Sequence, residues 1–126
     1  MRVATIDQGF VRASLDRVYE LVSNPASYPL WWPGVRSDGD RLRFPILGPV
    51  SCSTDVVEEG IDLRVPLEGR RVRGHVQWHL KRFQDGTIVY VGTDVETGRR
   101  WSRRRILRHR SSIRRALIAL KRLEAR

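Results

Sequence analysis

The sequence predicts an α+β fold, in which an antiparallel sheet carries helices on one face and a long C-terminal helix closes the chain. Three observations predict it. Apolar residues alternate at period two through the middle of the chain, from Asp40 to Val95. Two short helical patterns precede that run, between Ser14 and Tyr28. The last segment, Arg99 to Arg126, contains no Gly or Pro, and its apolar residues recur at steps of three or four.

Thr5 to Arg12 reads as a first strand, with Ile6 and Phe10 sharing a face. Ser14 is suited to cap a helix, because its hydroxyl can accept from the free amides of the first turn, and Asp16 complements the helix dipole. Leu15, Val18, Leu21 and Val22 then form one apolar side of a helix reaching Ser23. Asn24-Pro25 interrupts it, and Pro25 can open a second short helix through Tyr28. Pro29 and Pro33 bracket Leu30, Trp31 and Trp32 in an irregular aromatic loop, where two adjacent indoles are expected to point in different directions.

Beyond Asp40, Leu42, Phe44 and Ile46 alternate with Arg41 and Arg43, and Gly48-Pro49 marks a turn. Val50, Cys52, Thr54 and Val56 share a face of the next strand, which ends at Glu59-Gly60. Ile61, Leu63, Val65 and Leu67 form another alternating set, with Pro66 pointing to an edge or a bulge. The clearest strand sets Val72, Gly74, Val76, Trp78 and Leu80 against Arg73, His75, Gln77, His79 and Lys81. Gln84-Asp85-Gly86 turns the chain, and Thr87, Val89, Val91, Thr93 and Val95 return beside it. In the terminal helix, Ile106, His109, Ile113, Ala116 or Leu117, Leu120 and Leu123 make the apolar stripe, opposite a face of arginine.

The net charge of +10 arises from 22 Arg and 2 Lys against 14 acids. Arg99 to Arg126 holds twelve basic residues and one acid, Glu124, hence +11; the preceding residues hold twelve basic and thirteen acidic, hence −1. A nearly neutral body therefore carries a cationic end. A length of 126 residues fits one domain, 1–126. No run approaches the roughly 20 apolar residues of a membrane span, and the first ten residues lack a signal-peptide core. Cys52 is the only cysteine, so no internal disulfide forms; a soluble cytoplasmic protein is expected.

Several strings carry a resemblance. Val18-Tyr19-Glu20-Leu21-Val22 and Tyr28-Pro29-Leu30-Trp31-Trp32-Pro33-Gly34-Val35 look like a helix and aromatic-proline turn after a first strand. Gly74 to Leu80, Asp85 to Tyr90 and the helix Ile113 to Leu123 complete the pattern. Together they resemble the polyketide cyclase/dehydrase-like family of the START-related helix-grip (SRPBCC) superfamily. The resemblance implies a curved antiparallel sheet wrapped around the C-terminal helix, with two short helices after the first strand and an apolar cavity between sheet and helix. Members bind lipids, sterols, polyketides or quinones, and some catalyse cyclisation or dehydration. This chain is short for that pattern between Asp40 and Gly69.

A hydrophobic small molecule is thus the expected partner. Trp32, Phe44, Leu63, Trp78, Val91, Ile113 and Leu117 would line its cavity, with Cys52, Thr54, Thr93 and His109 as sparse polar groups, although all would equally serve an ordinary core. A second reading is an interaction module, in which Arg103, Arg104 and Arg105 contact RNA phosphates or an anionic membrane surface. The alternative to that is a solvated helix face. A cyclase or dehydratase is a third reading, but no carboxylate pair, nucleophile elbow or phosphate loop is placed by pattern. No cofactor or metal is expected: four residues along a strand hold His75 and His79 roughly 13 Å apart, too far for one zinc ion.

Overall fold

The two strands with the strongest alternation pair along their whole length at the centre of the sheet. The computed structural model describes residues 1–124. In chain order the elements are β1 (Arg2–Val11), α1 (Leu15–Val22), α2 (Tyr28–Trp31), β2 (Arg36–Asp38), β3 (Arg41–Phe44), β4 (Gly48–Cys52), β5 (Asp55–Glu58), β6 (Asp62–Glu68), β7 (Val72–Phe83), β8 (Gly86–Thr97) and α3 (Arg103–Glu124). A single 3-10 turn, Pro25–Ser27, precedes α2. The sheet runs β1-β8-β7-β6-β4-β3-β2, with β5 also paired to β6, and each pairing is antiparallel. The curled sheet holds α3 against β1 and α2. This is the mixed α+β, helix-grip architecture that the sequence predicts.

Local chemistry explains the helices. Ser14 Oγ accepts from the Arg17 amide at 3.2 Å, and Ser102 Oγ caps α3 in the same way through Arg105 N at 3.2 Å. The stripe of α3 turns His109, Ile113, Ala116, Leu117 and Leu120 into the interior. Gly9 lets the helix approach β1, because a Cβ there would stand 3.3 Å from Leu117 Cδ1. The cap moves the start of α3 to Arg103 from the expected Arg99; its expected end at Arg126 lies outside the described residues.

Register decides which way the faces of β1 point. Ile6 and Phe10 do share a face, but it is the outer one: Ile6 is 73% exposed, while Val3, Asp7 and Val11 are buried. Pairing decides this, since Val3, Asp7 and Val11 lie opposite the inward Val95, Val91 and Thr87 of β8. Two apolar residues on a short strand do not outweigh ten paired positions.

The middle of the chain departs most from expectation. The turn falls at residues 45–47, before Gly48-Pro49, which instead open β4. Ile46 leaves the strand with φ 69°. The expected Val50–Val56 strand is split: β4 ends at Cys52, β5 starts at Asp55, and Val56 is exposed. Pro66 is not on an edge strand. It sits in β6 where the neighbour on one side is interrupted, since β4 pairs with Leu67 and Glu68 and β5 with Asp62 to Arg64. The missing amide therefore costs no ladder bond on that side. β2, a polar Arg-Ser-Asp strand on the margin, carries no alternation that could announce it.

Candidate functional site

The interior between sheet and helix is an aromatic cluster. Tyr28 lies 5.3 Å from Trp31, 5.4 Å from Trp32, 6.2 Å from Phe44 and 6.2 Å from Trp78, measured between ring centroids. Trp31 and Trp32 do not diverge as expected; they stack at 5.9 Å with 25° between ring planes, because Trp31 ends α2 and Trp32 continues in extended backbone. The polar handles of the cluster are satisfied within the chain. Trp78 Nε1 donates to Tyr28 Oη at 3.0 Å, and that hydroxyl donates to Val22 O at 2.6 Å. Trp31 Nε1 donates to Ser27 Oγ and Trp32 Nε1 to Ser112 Oγ. Indoles held by internal partners are packed core.

The apolar residues expected to line a cavity are packed into the core. Trp32, Phe44, Leu63, Trp78, Val91, Ile113 and Leu117 are all buried in this one cluster. Thr54 does not face inward: it is exposed in the break between β4 and β5, and its hydroxyl donates to Ser23 O at 3.1 Å. Cys52 is half-buried beside a surface cleft with Pro25, Ala26 and Leu42, and burial pushes its thiol up to about 11.

A polar group on the same inner face was legible only in part. His109 Nε2 and Thr93 Oγ1 are hydrogen-bonded at 2.9 Å, and Thr5 stands opposite Thr93 in the register. Asp7, which alternation did not single out, is buried on β1; Arg110 donates to its Oδ1 from Nη2 at 3.1 Å and from Nε at 3.3 Å. Arg114 Nε stands 3.8 Å from the same oxygen. Thr5 Oγ1, Asp7 Oδ2 and His109 Nδ1 are buried without partners among the described residues. Burial lowers His109 to about 4, against a smaller upward pull from the Asp7 charge.

Open space lies along the seam where residues 33–34 and 45–48 face α3. One cleft of about 400 Å³ is walled by Pro33, Pro45 and Ile46 on one side and Arg108, Ser112 and Arg115 on the other. A second, of about 480 Å³, is walled by Ile46, Trp101, Arg70, Arg71, Arg99 and Arg105. Ile46 belongs to both. Its neighbour Gly48, at φ 77°, makes room for Arg71: a Cβ there would stand 2.9 Å from Arg71 Cδ.

Among solved structures, a START superfamily protein from Mycobacterium smegmatis matches with a TM-score of 0.74 at 17% identity, over 95% of this chain and 94% of that one. The protein has a START-like, SRPBCC fold. The Aha1 dimer from Colwellia psychrerythraea matches at 0.66 and 12% identity, over 94% of this chain and 93% of that one. DynU16, from the dynemicin biosynthetic locus, matches at 0.66 and 19% identity over 94% of this chain, which spans 46% of that protein. No family model matches the sequence.

Within the START-like frame, the arginines of α3 divide by partner. Arg110 and Arg114 turn to Asp7. Arg103, Arg104 and Arg105 are exposed in a first turn without an acidic residue, where the helix dipole disfavours cations; of the three, Arg105 lines a cleft. His79 faces outward and pairs with Asp62 at 3.1 Å. Among the described residues, no group of three or more His, Cys, Asp or Glu is placed to hold a metal ion. No described helix is long and apolar enough to cross a membrane.

Proposed function

We propose that the protein binds a hydrophobic small molecule, of lipid, polyketide or quinone-like character, at the seam between α3 and the 45–48 turn. The START-like fold commonly binds hydrophobic ligands. The observation that carries this reading is Ile46. A β-branched residue at φ 69° costs about 1–2 kcal/mol relative to ordinary backbone, and it holds a half-buried apolar side chain between two clefts of ligand size. With the aromatic interior filled, the ligand lies against the helix and not beneath it. We read the chain as one domain, 1–126, whose lone cysteine suits the reducing cytoplasm.

The test uses a neutral apolar dye, Nile red, with the wild type and Ile46→Gly. Glycine relieves the backbone strain, so the fold is retained while the apolar wall between the clefts disappears. Affinity is expected to fall about tenfold, the equivalent of one well-buried side chain's contact. Wild-type protein that fails to bind the dye, or a variant that binds it unchanged, would sink the reading.

A further inference from the structure

The second cleft has a property that an apolar ligand alone does not use. Four arginines, Arg70, Arg71, Arg99 and Arg105, line it, with Trp101 and Ile46 as its apolar walls. Seven arginines elsewhere are ion-paired, and ten more among the described residues are not, so what sets the cleft apart is that four arginines line one concavity. Arg2, Arg12, Arg17, Arg43, Arg73, Arg110 and Arg114 each stand within 4.0 Å of a carboxylate. Among the described residues, no ion pair includes any of the four at the cleft.

The backbone that presents them is tied down. Gly98 N donates to Arg71 O at 3.0 Å, joining the two turns that carry Arg70-Arg71 and Arg99, and Gly69 N donates to Val72 O at 3.0 Å. The Thr97 hydroxyl donates to Arg99 O at 2.5 Å. Gly48 leaves space for the Arg71 side chain, and Arg105 projects from the capped first turn of α3. Four arginines from three separate segments line one concave site, where an anion would relieve the mutual repulsion of their charges.

We infer that the seam ligand is an amphipathic anion, whose oxyanion head, a carboxylate or a phosphate monoester, sits among these four arginines. The apolar part then runs past Ile46 into the neighbouring cleft, so the inference rests on the proposed seam site and adds the ligand's polar end. Guanidinium forks match both head groups bidentately, which makes arginine the suitable residue here.

The experiment is calorimetric titration with decanoate, decyl phosphate, uncharged decanol and inorganic phosphate, on the wild type and on Arg71→Gln/Arg105→Gln. Arg122→Gln, an exposed change toward the far end of α3, serves as the control. Both anionic chains are expected to bind about tenfold more tightly than decanol. The double variant is expected to lose that advantage, keeping its decanol affinity, while the control loses nothing. The tighter of the two anions identifies the head group.

Decanol binding as tightly as decanoate, or a double variant that binds decanoate unchanged, overturns the anion site and leaves the apolar seam standing. Inorganic phosphate that binds through Arg71 and Arg105, with no gain from a decyl chain, supports the anion site and removes the apolar reading. Failure of all four probes to bind overturns both.

Discussion

His109 on α3 and Thr93 on β8 meet at 2.9 Å across the interior, and this bond ties the gripping helix to the centre of the sheet. The imidazole is held neutral there, because burial lowers it to about 4 from the ordinary 6.5. Between those values the unfolded chain takes up a proton that the folded one does not. Stability is therefore full above pH 6.5 and falls as the pH drops toward 4, by about 3 kcal/mol in total. Urea midpoints at pH 7 and 4.5 should show the fall, and His109→Gln should flatten it. An unchanged slope in that variant would assign the effect to other groups. Asp7, whose charge acts on the ring, and Arg110 bound to Asp7 are the charges to hold constant.

Asp7 and Arg110 form the second tie between β1 and α3. The carboxylate is buried, with 4% of its side chain exposed, whereas the Arg110 side chain is 38% exposed and can be rehydrated. Removal of the carboxylate charge in Asp7→Asn should cost about 1–2 kcal/mol, less than the breaking of a fully buried pair. In a double-mutant cycle with Arg110→Gln the two changes should couple by about 1 kcal/mol. Additivity to within about 0.3 kcal/mol would show that the pair contributes nothing.

Tyr28 is the polar hub of the aromatic cluster. Tyr28→Phe deletes the one atom that serves both Trp78 Nε1 and Val22 O, leaving a buried donor and a buried acceptor unpaired. A loss of about 1–3 kcal/mol is expected in chemical denaturation. Adding Trp78→Phe removes the orphaned donor and should cost less than the sum of the two single changes.

Gly48→Ala tests the link between backbone and cleft. It places a Cβ at φ 77° against Arg71, so stability should fall by about 1 kcal/mol. Arg71 must swing away, and the affinity for decanoate should drop while that for decanol stays. Equal losses for both ligands would mean that the turn has collapsed.

Much of the fold was legible because β6, β7, β8 and α3 carry long, uninterrupted periods. Leu63, Val65, Leu67, Val76, Trp78, Leu80, Val89 and Val91 all face inward as alternation requires. The errors lie where a short segment is governed by a neighbour. The break at Ser53-Thr54 follows from β6 accepting two partners in succession. The candidate site was less legible. Alternation identifies inward residues but not whether they meet, so the interior aromatics read as a lining when they form a plug. The cleft arginines come from the turns at 70–71 and 99 and from α3, and no periodicity joins such distant positions. The lack of acids from Arg99 to Leu123 was the one sequence signal for Arg99 and Arg105, and Arg70-Arg71 had none.

The break opposite Pro66 also divides the sheet mechanically. Beyond it, residues 36–52 connect to the central strands through only two register pairs, Ser51 with Glu68 and Cys52 with Leu67, whereas β7 and β8 share twelve. This hairpin is anchored chiefly by the side chains of Leu42, Phe44, Leu47 and Val50, through contacts that resist separation but are indifferent to small rotations. Sub-global opening should begin there, with faster amide exchange than in β7 and β8. Since Ile46 rides on that hairpin, opening there would displace the wall between the two clefts, and under the proposed binding its rate would set how quickly a guest enters or leaves.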